Sequence, residues 1–188
     1  WQPMINSYVK GTREPMIDLM AWNADGTRMP YRMHTEYLYR LYLDNELSTG
    51  RFPVFGEPVR LSDVRVPMFV VGTETDHVAP WKSVYKVENL VRSNDYTFLL
   101  TSGGHNAGIV SGPVHPKRKH RVRTRTLADR HLAPDDWLQT TPVQAGSWWP
   151  TWAQWLAEHS SGRVAPPATG ADGYAALEDA PGRYVRMK

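Results

Sequence analysis

Two short apolar stretches constrain the fold of this 188-residue chain more than any other feature. Val66–Thr73, "VPMFVVGT", is rich in β-branched residues and has polar neighbours, as is typical of a strand that is buried on both faces. Tyr96–Ser102, "YTFLLTS", has the same character. Between them, Pro80 suits the first turn of a helix, and valines follow it at helical spacing. Strand, helix and strand in this order predict an α/β fold with a parallel sheet.

A polar side chain follows each of the two predicted strands. Asp76 comes after the first strand, in "GTETDHVAPW", and His105 after the second, in "TSGGHNAGI". Ligands of an open parallel sheet bind beyond the carboxyl ends of its strands, and side chains from neighbouring ends can meet there. An acid followed by a histidine is also the order of the last two members of an α/β-hydrolase triad. We therefore predict that Asp76 and His105 form the acid–base pair of a catalytic site.

Each of these residues has a simpler interpretation when it is taken alone. His105 could be a loop histidine after the turn that Gly103 and Gly104 allow, and Asp76 could cap the helix that begins near Pro80. Their positions after successive strands favour the triad. His77 is an alternative to Asp76 as a site residue, but adjacent residues in a loop point in different directions.

The sequence contains no nucleophile for this pair to activate. It has no cysteine, and neither "GHNAG" nor "GIVSG" carries a serine or cysteine at its centre, as a nucleophile elbow requires. The chain order of the triad places the nucleophile before Asp76, and we expect it upstream of Trp1. The chain opens on Trp1 as if in the middle of a fold, so we interpret it as a fragment that is inactive alone.

Charge and composition exclude several classes of function. The net charge is +3, and much of the excess lies in Lys117–Arg125, "KRKHRVRTR". This basic run could contact nucleic acid, acidic lipid or a phosphorylated cofactor. However, its alternating arginines favour a solvated edge strand or loop, and no nucleic-acid motif accompanies it. Without cysteines or a convincing His/Asp/Glu spacing, we predict no metal and no cofactor. No apolar run is long enough to span a membrane, and no secretory signal is present.

Three further segments are predicted to be helical. Arg32–Leu47 has helical spacing of its apolar residues, with Gly50 as a stop signal. Asn106–Val110 is expected to begin a helix after the second strand. Gly146–His159, "GSWWPTWAQWLAEH", is expected to be a helix that Ser147 caps. Its aromatic stripe favours packing over ligand binding, and it consists of Trp148, Trp152 and Trp155.

Several motifs together resemble one known family. They are "DLMAWNADGTRMP", "EYLYRLYLDNEL", "GTETDHVAPWKSVYK", "TSGGHNAGIV", "GSWWPTWAQWL" and "APGRYV". In order and nearly end to end, they resemble the C-terminal part of the catalytic domain of class I poly(3-hydroxyalkanoate) synthases. The resemblance implies an α/β-hydrolase fold with a helical cap, with residues 1–61 as the cap segment, 62–112 as the core strand–helix–strand and 113–188 as an extension packed on that core.

The resemblance also implies an activity and partners. Family members polymerise (R)-3-hydroxyacyl-CoA into polyester and release CoA, and a cysteine in a G-x-C-x-G elbow carries the growing chain. Asp76 and His105 match the acid and the base of that triad. The implied partners are the acyl-CoA substrate, the polyester chain, a second copy bound through the cap, and the surface of polymer granules in the cytoplasm. The alternatives are another α/β hydrolase, such as an esterase or thioesterase, and a non-catalytic granule-associated module.

Overall fold

The computed structural model describes residues 4–12, 17–26, 28–115, 117–183 and 187, and it divides into two compact units. One unit comprises Trp1–Thr35 and Ala165–Lys188, and the other comprises Glu36–Val164. Both residues of the predicted acid–base pair lie in the second unit. Within the described ranges, no helix combines the length and the apolar character needed to cross a bilayer.

The first unit is built from short helices and irregular chain. It contains a π-helical turn at Ile5–Val9, helix α1 at Asp18–Ala24 and most of helix α2 at Tyr31–Glu36. Asp18 lies in the first turn of α1, where a negative charge interacts favourably with the helix dipole. Arg28 donates a hydrogen bond to the carbonyl of Met187 over 3.3 Å. Many of the aromatic and apolar side chains of this unit are exposed.

The second unit opens with a π-helical segment and a small hairpin. Tyr37–Leu43 is π-helical, so helical structure ends before the predicted limit at Leu47. Strands β1 (Phe52–Val54) and β2 (Glu57–Val59) then pair in antiparallel fashion. Phe55 and Gly56 between them both have positive φ, at 51° and 88°, which is the backbone that a two-residue type I′ hairpin turn requires.

A four-stranded sheet in the order β3-β4-β5-β6 forms the centre of this unit. The strands are β3 at Met68–Thr73, β4 at Tyr96–Thr101, β5 at Lys119–Arg125 and β6 at Gln144–Ala145. The predicted pair β3 and β4 is parallel, whereas β4–β5 and β5–β6 are antiparallel. The sheet is therefore mixed rather than mainly parallel. A helical crossover links β3 to β4, but a loop without a helix links β4 to β5, and such a connection returns the chain in the opposite direction.

Helices cover both faces of the sheet. Helix α3 (Trp81–Tyr85) continues into a 3₁₀ turn at Lys86–Asn89, and helix α4 (Pro134–Thr140) follows β5. They pack on the face of β4 that carries Phe98, whose ring lies 4.9 Å from that of Tyr85 and 5.0 Å from that of Trp137. All six residues of β4 are buried, as the sequence predicts, whereas the first four residues of β3 are only half-buried.

The aromatic stripe packs on the opposite face, as the sequence predicts. Helix α5, Trp149–Glu158, begins one residue after Trp148, and the side-chain oxygen of Ser147 accepts the backbone N–H of Trp149 over 3.1 Å. The ring of Phe69 on β3 lies 6.5 Å from Trp148 and 5.6 Å from Trp155. Because Phe69 pairs in register with Thr97, it lies on the face of the sheet opposite Phe98.

The basic run forms strand β5, and contacts within the fold hold its arginines. Arg121 donates to the carbonyl of Thr141, and Arg123 donates to the hydroxyl of Thr140 over 3.3 Å. Arg125 donates to the backbone carbonyl of Glu88 over 2.6 Å. The alternation of arginines thus indicates a strand, as expected, and the three side chains bond to α4, to the residue that follows it and to the 3₁₀ turn after α3.

Candidate active site

Asp76 and His105 meet at the carboxyl end of the parallel strand pair. The final residues of β3 and β4, Thr73 and Thr101, are register partners, so both connecting loops emerge at the same edge of the sheet. Nδ1 of His105 lies 2.9 Å from Oδ2 of Asp76 and 3.1 Å from Oδ1. The structure therefore brings together the two residues that the sequence predicts as a pair, within hydrogen-bonding distance.

The carboxylate of Asp76 is held by several donors. Its Oδ1 accepts the backbone N–H groups of Val78 and Ala79, each over 2.8 Å, and Oδ2 accepts the hydroxyl of Thr73 over 3.3 Å. The hydrogen bond from Ala79 lowers the pKa of Asp76 most, and the bond with His105 lowers it further. Together they bring that pKa to about 2 in spite of the desolvation of the side chain, which is only 7% exposed.

Asp76 does not cap α3, whose N-cap residue is Pro80 and has no side-chain capping hydrogen bond. It organises the loop before α3 through backbone N–H groups, and it faces the imidazole with the rest of its carboxylate. Because its pKa lies far below neutrality, Asp76 is an anion at any pH near 7. A fixed anion at Nδ1 sets the tautomer of the imidazole and stabilises the imidazolium form.

His105 is accessible from solvent on its other side. Its side chain is 46% exposed, whereas that of Asp76 is nearly buried. Since Nδ1 faces the carboxylate, Nε2 is the nitrogen that can take a proton from an attacking group. Such an arrangement can serve as a histidine base with a nearly buried orienting acid, and it is suited to activating a nucleophile delivered from the solvent side.

The backbone around His105 forms a single tight turn rather than the predicted helix. The N–H of Gly108 donates to the carbonyl of Gly104 over 2.8 Å, and the N–H of Val110 to that of Asn106 over 2.9 Å. No helix follows at Asn106–Val110, because Gly112 and Pro113 come next and do not support helix continuation. The expectation of a helix here was wrong.

Gly103 shows why glycine leads into this turn. Its φ is +111°, a conformation that residues with a Cβ rarely adopt. A Cβ at that position would also lie 2.6 Å from Nη1 of Arg118. The glycine thus allows both the turn and a close approach of the arginine.

The other candidates lie outside this pair. His77 is exposed, and the carboxylate of its neighbour Asp76 faces His105. Within the ranges that the structure describes, no cluster of three or more His, Asp or Glu residues is arranged to hold a metal ion. A cavity of about 320 Å³ is lined by Tyr96 and Arg125, among others. These two residues pair at the amino end of β4, so the cavity lies at the opposite edge of the sheet from His105.

Several residues around the site carry no distinctive sequence signal. Thr73, the buried last residue of β3, donates to Asp76. Arg118 donates from Nη2 to the carbonyl of Ala107 over 2.7 Å and from Nη1 to that of Ser102 over 3.3 Å. Its place in a basic run gives no sign of this role. Only the strand-end position of Thr73 could have suggested a contact with the loop residues.

Comparison with known proteins places this chain among relatives. No family model matches it. It is 37% identical over 190 residues to the poly(3-hydroxyalkanoate) polymerase subunit PhaC of Cupriavidus necator, a match that covers 100% of this chain and 31% of that protein. It is 38% identical over 188 residues to the poly(3-hydroxyalkanoate) polymerase of Methylorubrum extorquens, covering 100% of this chain and 30% of the relative.

This chain belongs to the poly(3-hydroxyalkanoate) polymerase family. A third member, the polymerase subunit PhaC of Rhizobium etli, is 38% identical over 185 residues, or 98% of this chain and 28% of that protein. The chain therefore spans about a third of the length of these polymerases, and it corresponds to their C-terminal part. The family assignment made from the sequence motifs is confirmed.

Proposed function

We propose that this chain is the C-terminal catalytic segment of an acyltransferase that joins (R)-3-hydroxyacyl units of CoA thioesters into a polyester and releases CoA. The observation that carries this proposal is the contact of 2.9 Å between Nδ1 of His105 and the carboxylate of Asp76. The names of the relatives, which are poly(3-hydroxyalkanoate) polymerases, supply the substrate class. The nucleophile is proposed to be a cysteine in the part of the polymerase that precedes this chain.

The first half-reaction loads an acyl group. Nε2 of His105 takes the proton of the cysteine thiol, and the thiolate attacks the thioester carbonyl of the acyl-CoA. The bond between the carbonyl carbon and the CoA sulfur breaks, and the imidazolium returns its proton to the departing CoA thiolate. Asp76 remains ionised throughout and stabilises the imidazolium from the Nδ1 side.

The second half-reaction extends the chain. His105 removes the proton of the hydroxyl group of a 3-hydroxyacyl unit, and that oxygen attacks the acyl group held on the cysteine. An ester bond forms, the bond to the cysteine sulfur breaks, and the imidazolium gives its proton to the thiolate. Neutral imidazole suits both steps because its ordinary pKa is close to neutral pH.

The remaining features of the proposal concern architecture and partners. We assign residues 62–112 to the core of an α/β-hydrolase fold, 1–61 to its cap and 113–188 to an extension packed on the core. The parallel pair β3 and β4 with its helical crossover supports the core assignment. Exposed aromatic side chains between residues 1 and 61, such as Tyr8, Trp22 and Tyr42, support a role of the cap in homodimer contact. The site of action is proposed to be the surface of polymer granules in the cytoplasm.

Substitutions in the complete polymerase test the proposal through CoA release from 3-hydroxybutyryl-CoA. His105→Ala should abolish polymerisation because it removes the only proton acceptor of both half-reactions. Asp76→Asn should leave a residual rate about 10³–10⁴-fold below that of the unsubstituted enzyme. The base His105 remains, but its tautomer is no longer fixed and its imidazolium is no longer stabilised by a carboxylate. His77→Ala is the matched control and should retain nearly normal turnover.

The outcomes separate the polymerase from its alternatives. Near-normal CoA release by His105→Ala would rule out the proposed base. Hydrolysis of simple esters together with a serine elbow upstream would instead identify an esterase. If the unsubstituted protein shows neither CoA release nor ester hydrolysis, the result favours a granule-associated module.

A further inference from the structure

The turn that carries His105 depends on other parts of the protein for its shape. It lies outside regular helix and strand, and it contains Gly103, Gly104 and Gly108. Glycine loses more conformational freedom on folding than other residues, so such a turn has a weak preference of its own for one geometry. The position of the imidazole is therefore set largely by what contacts the turn.

Three consecutive side chains at the start of α5 donate hydrogen bonds to this turn. Nε1 of Trp148 lies 3.1 Å from the carbonyl oxygen of Gly108, and Nε1 of Trp149 lies 2.9 Å from that of Ile109. The hydroxyl of Ser147 donates to the carbonyl of Ser111. We refer to Ser147, Trp148 and Trp149 as the indole clamp.

Two of the three clamp bonds, those from Ser147 and Trp148, lie in a buried environment where hydrogen bonds are hard to replace, whereas the bond from Trp149 to Ile109 is exposed. Trp148 is only 5% exposed, and Gly108 and Ser111 are also buried. A buried carbonyl that loses its donor has no ready access to water and is costly to leave unpaired. The turn therefore has one arrangement in which these carbonyls are satisfied, and the clamp defines it.

The clamped turn carries the base and reaches the orienting acid through Thr73. Gly108 lies against the buried side chain of Thr73, and the hydroxyl of Thr73 donates to Asp76. From the other side, Arg118 donates to the carbonyls of Ser102 and Ala107, on either side of His105. A shift of Gly108 would thus disturb both partners of the acid–base pair.

We propose that Trp148 and Trp149, supported by Ser147, are positioning residues for the acyl-transfer reaction: they hold the turn so that Nδ1 of His105 stays on the carboxylate of Asp76 and Nε2 faces the nucleophile. This role rests on the proposed function of the pair. The G-S-W-W segment then has a second role besides packing, because its indole rings pack against the sheet while its indole N–H groups hold the turn in place.

The test removes indole N–H groups and keeps aromatic rings. Trp148→Phe in the complete polymerase should lower kcat by about 10-fold with little change in KM, because misplacing a catalytic group by a fraction of an ångström slows the reaction more than binding. Trp149→Phe should lower kcat by less, because its hydrogen bond to Ile109 is exposed and water can replace the lost donor. Trp155→Phe is the matched control from the same helix. Its Nε1 is buried without a hydrogen-bond partner, so its loss should leave kcat within about 2-fold.

A second measurement does not depend on activity. In hydrogen exchange, the amides of residues 102–112 should exchange faster in Trp148→Phe and Trp149→Phe, whereas those of β4, residues 96–101, should not change. Trp155→Phe should show neither effect. The half-buried Trp149 is the safer variant if Trp148→Phe unfolds.

The results distinguish this inference from the proposed function. If the unsubstituted polymerase releases no CoA, the proposed function fails, and the exchange data still decide whether the clamp holds the turn. If it is active but both Phe variants keep normal kcat, the positioning role is overturned. A loss of kcat that tracks only a lower melting temperature, or that Trp155→Phe matches, would also overturn it, since either shows a general effect on stability.

Discussion

Gly108 and Thr73 lie so close together that no side chain fits between them. A Cβ on Gly108 would be 2.6 Å from Cγ2 of Thr73 and 2.9 Å from the carbonyl oxygen of Gly104, both closer than real Cβ contacts. Thr73 is buried at the end of β3 and is itself bonded to Asp76, so it cannot easily move away. This contact fixes the distance between the turn of His105 and the strand that leads to its acid.

Gly108→Ala is therefore expected to destabilise the protein and to slow it. The added methyl group should cost about 1–3 kcal/mol of unfolding free energy, as is typical of overpacking, and kcat should fall because the turn must shift. Gly112→Ala is the control, since its nearest neighbour, Cζ3 of Trp149, would be 4.0 Å from the new Cβ. Denaturant unfolding and CoA release measure the two effects. Equal stability of the two variants would show that the turn adapts freely.

Glu88 is expected to be a major contributor to stability. Its side chain is 2% exposed, and its carboxylate contacts Nε of Arg125 at 3.3 Å and the imidazole of His131. Glu88→Ala leaves the guanidinium of Arg125, whose side chain is 17% exposed, without its counter-charge. We expect a loss of about 3–5 kcal/mol, measured by denaturant unfolding.

An exposed ion pair provides the comparison for Glu88. Lys82 and Asp135 lie 2.6 Å apart, but their side chains are 52% and 68% exposed. Lys82→Ala should cost only about 0–1 kcal/mol, because water and salt screen the pair. A cost for Glu88→Ala as small as that for Lys82→Ala would show that the region around Glu88 admits water.

The lowered pKa of Asp76 predicts how stability depends on pH. Its pKa falls from an ordinary 3.8 to about 2 in the folded protein. The folded state therefore binds this proton less readily than the unfolded state, and the resulting stabilisation is complete above about pH 4 and is lost as the pH falls through about 2. The stability difference between the unsubstituted protein and Asp76→Asn should not fall between pH 7 and 5, and it should shrink below pH 4. A difference that shrinks between pH 7 and 5 would contradict this assignment.

Residues 1–188 expressed alone are expected to associate and to be inactive toward 3-hydroxyacyl-CoA. Among the described strands, β3 pairs only with β4, so its other edge carries unpaired backbone groups that can template association. Exposed apolar side chains such as Val66 and Phe55 add to this tendency. Size-exclusion chromatography with light scattering and a thermal melt test it. A monodisperse monomer with a sharp transition would contradict the prediction.

The sequence alone predicted the parts of the site that follow from strand periodicity. Two apolar runs fixed β3 and β4, and the parallel pairing of neighbouring strand ends brought Asp76 and His105 together. The stripe of Trp148 and its neighbours was recognised as packing for the same reason, because helical spacing places those rings on one face. The pattern of apolar residues was enough wherever a single strand or helix determines which side chains come together.

The parts that depend on contacts distant in the chain could not be predicted in this way. The reversed direction of β5 follows from how a loop closes, which periodicity does not report. The helix predicted at Asn106–Val110 was wrong for a local reason, because Gly112 and Pro113 directly after it are stop signals. The shape of the turn, in contrast, depends on donors elsewhere in the fold. For the same reason, no feature of Arg118 or Trp149 in the sequence suggested a bond to the turn.

The hydrogen bonds from the indole clamp also set an order of events while the ribosome synthesises the protein. Trp148 and Gly108 are 40 positions apart, so the carbonyls of the turn receive their donors only after the ribosome has added those 40 residues. Until then, the histidine is present in the nascent chain but its surroundings are not fixed. If the chain has the proposed function, its acid–base pair would therefore be positioned for acyl transfer only once synthesis has passed Trp149 and this part of the chain has folded.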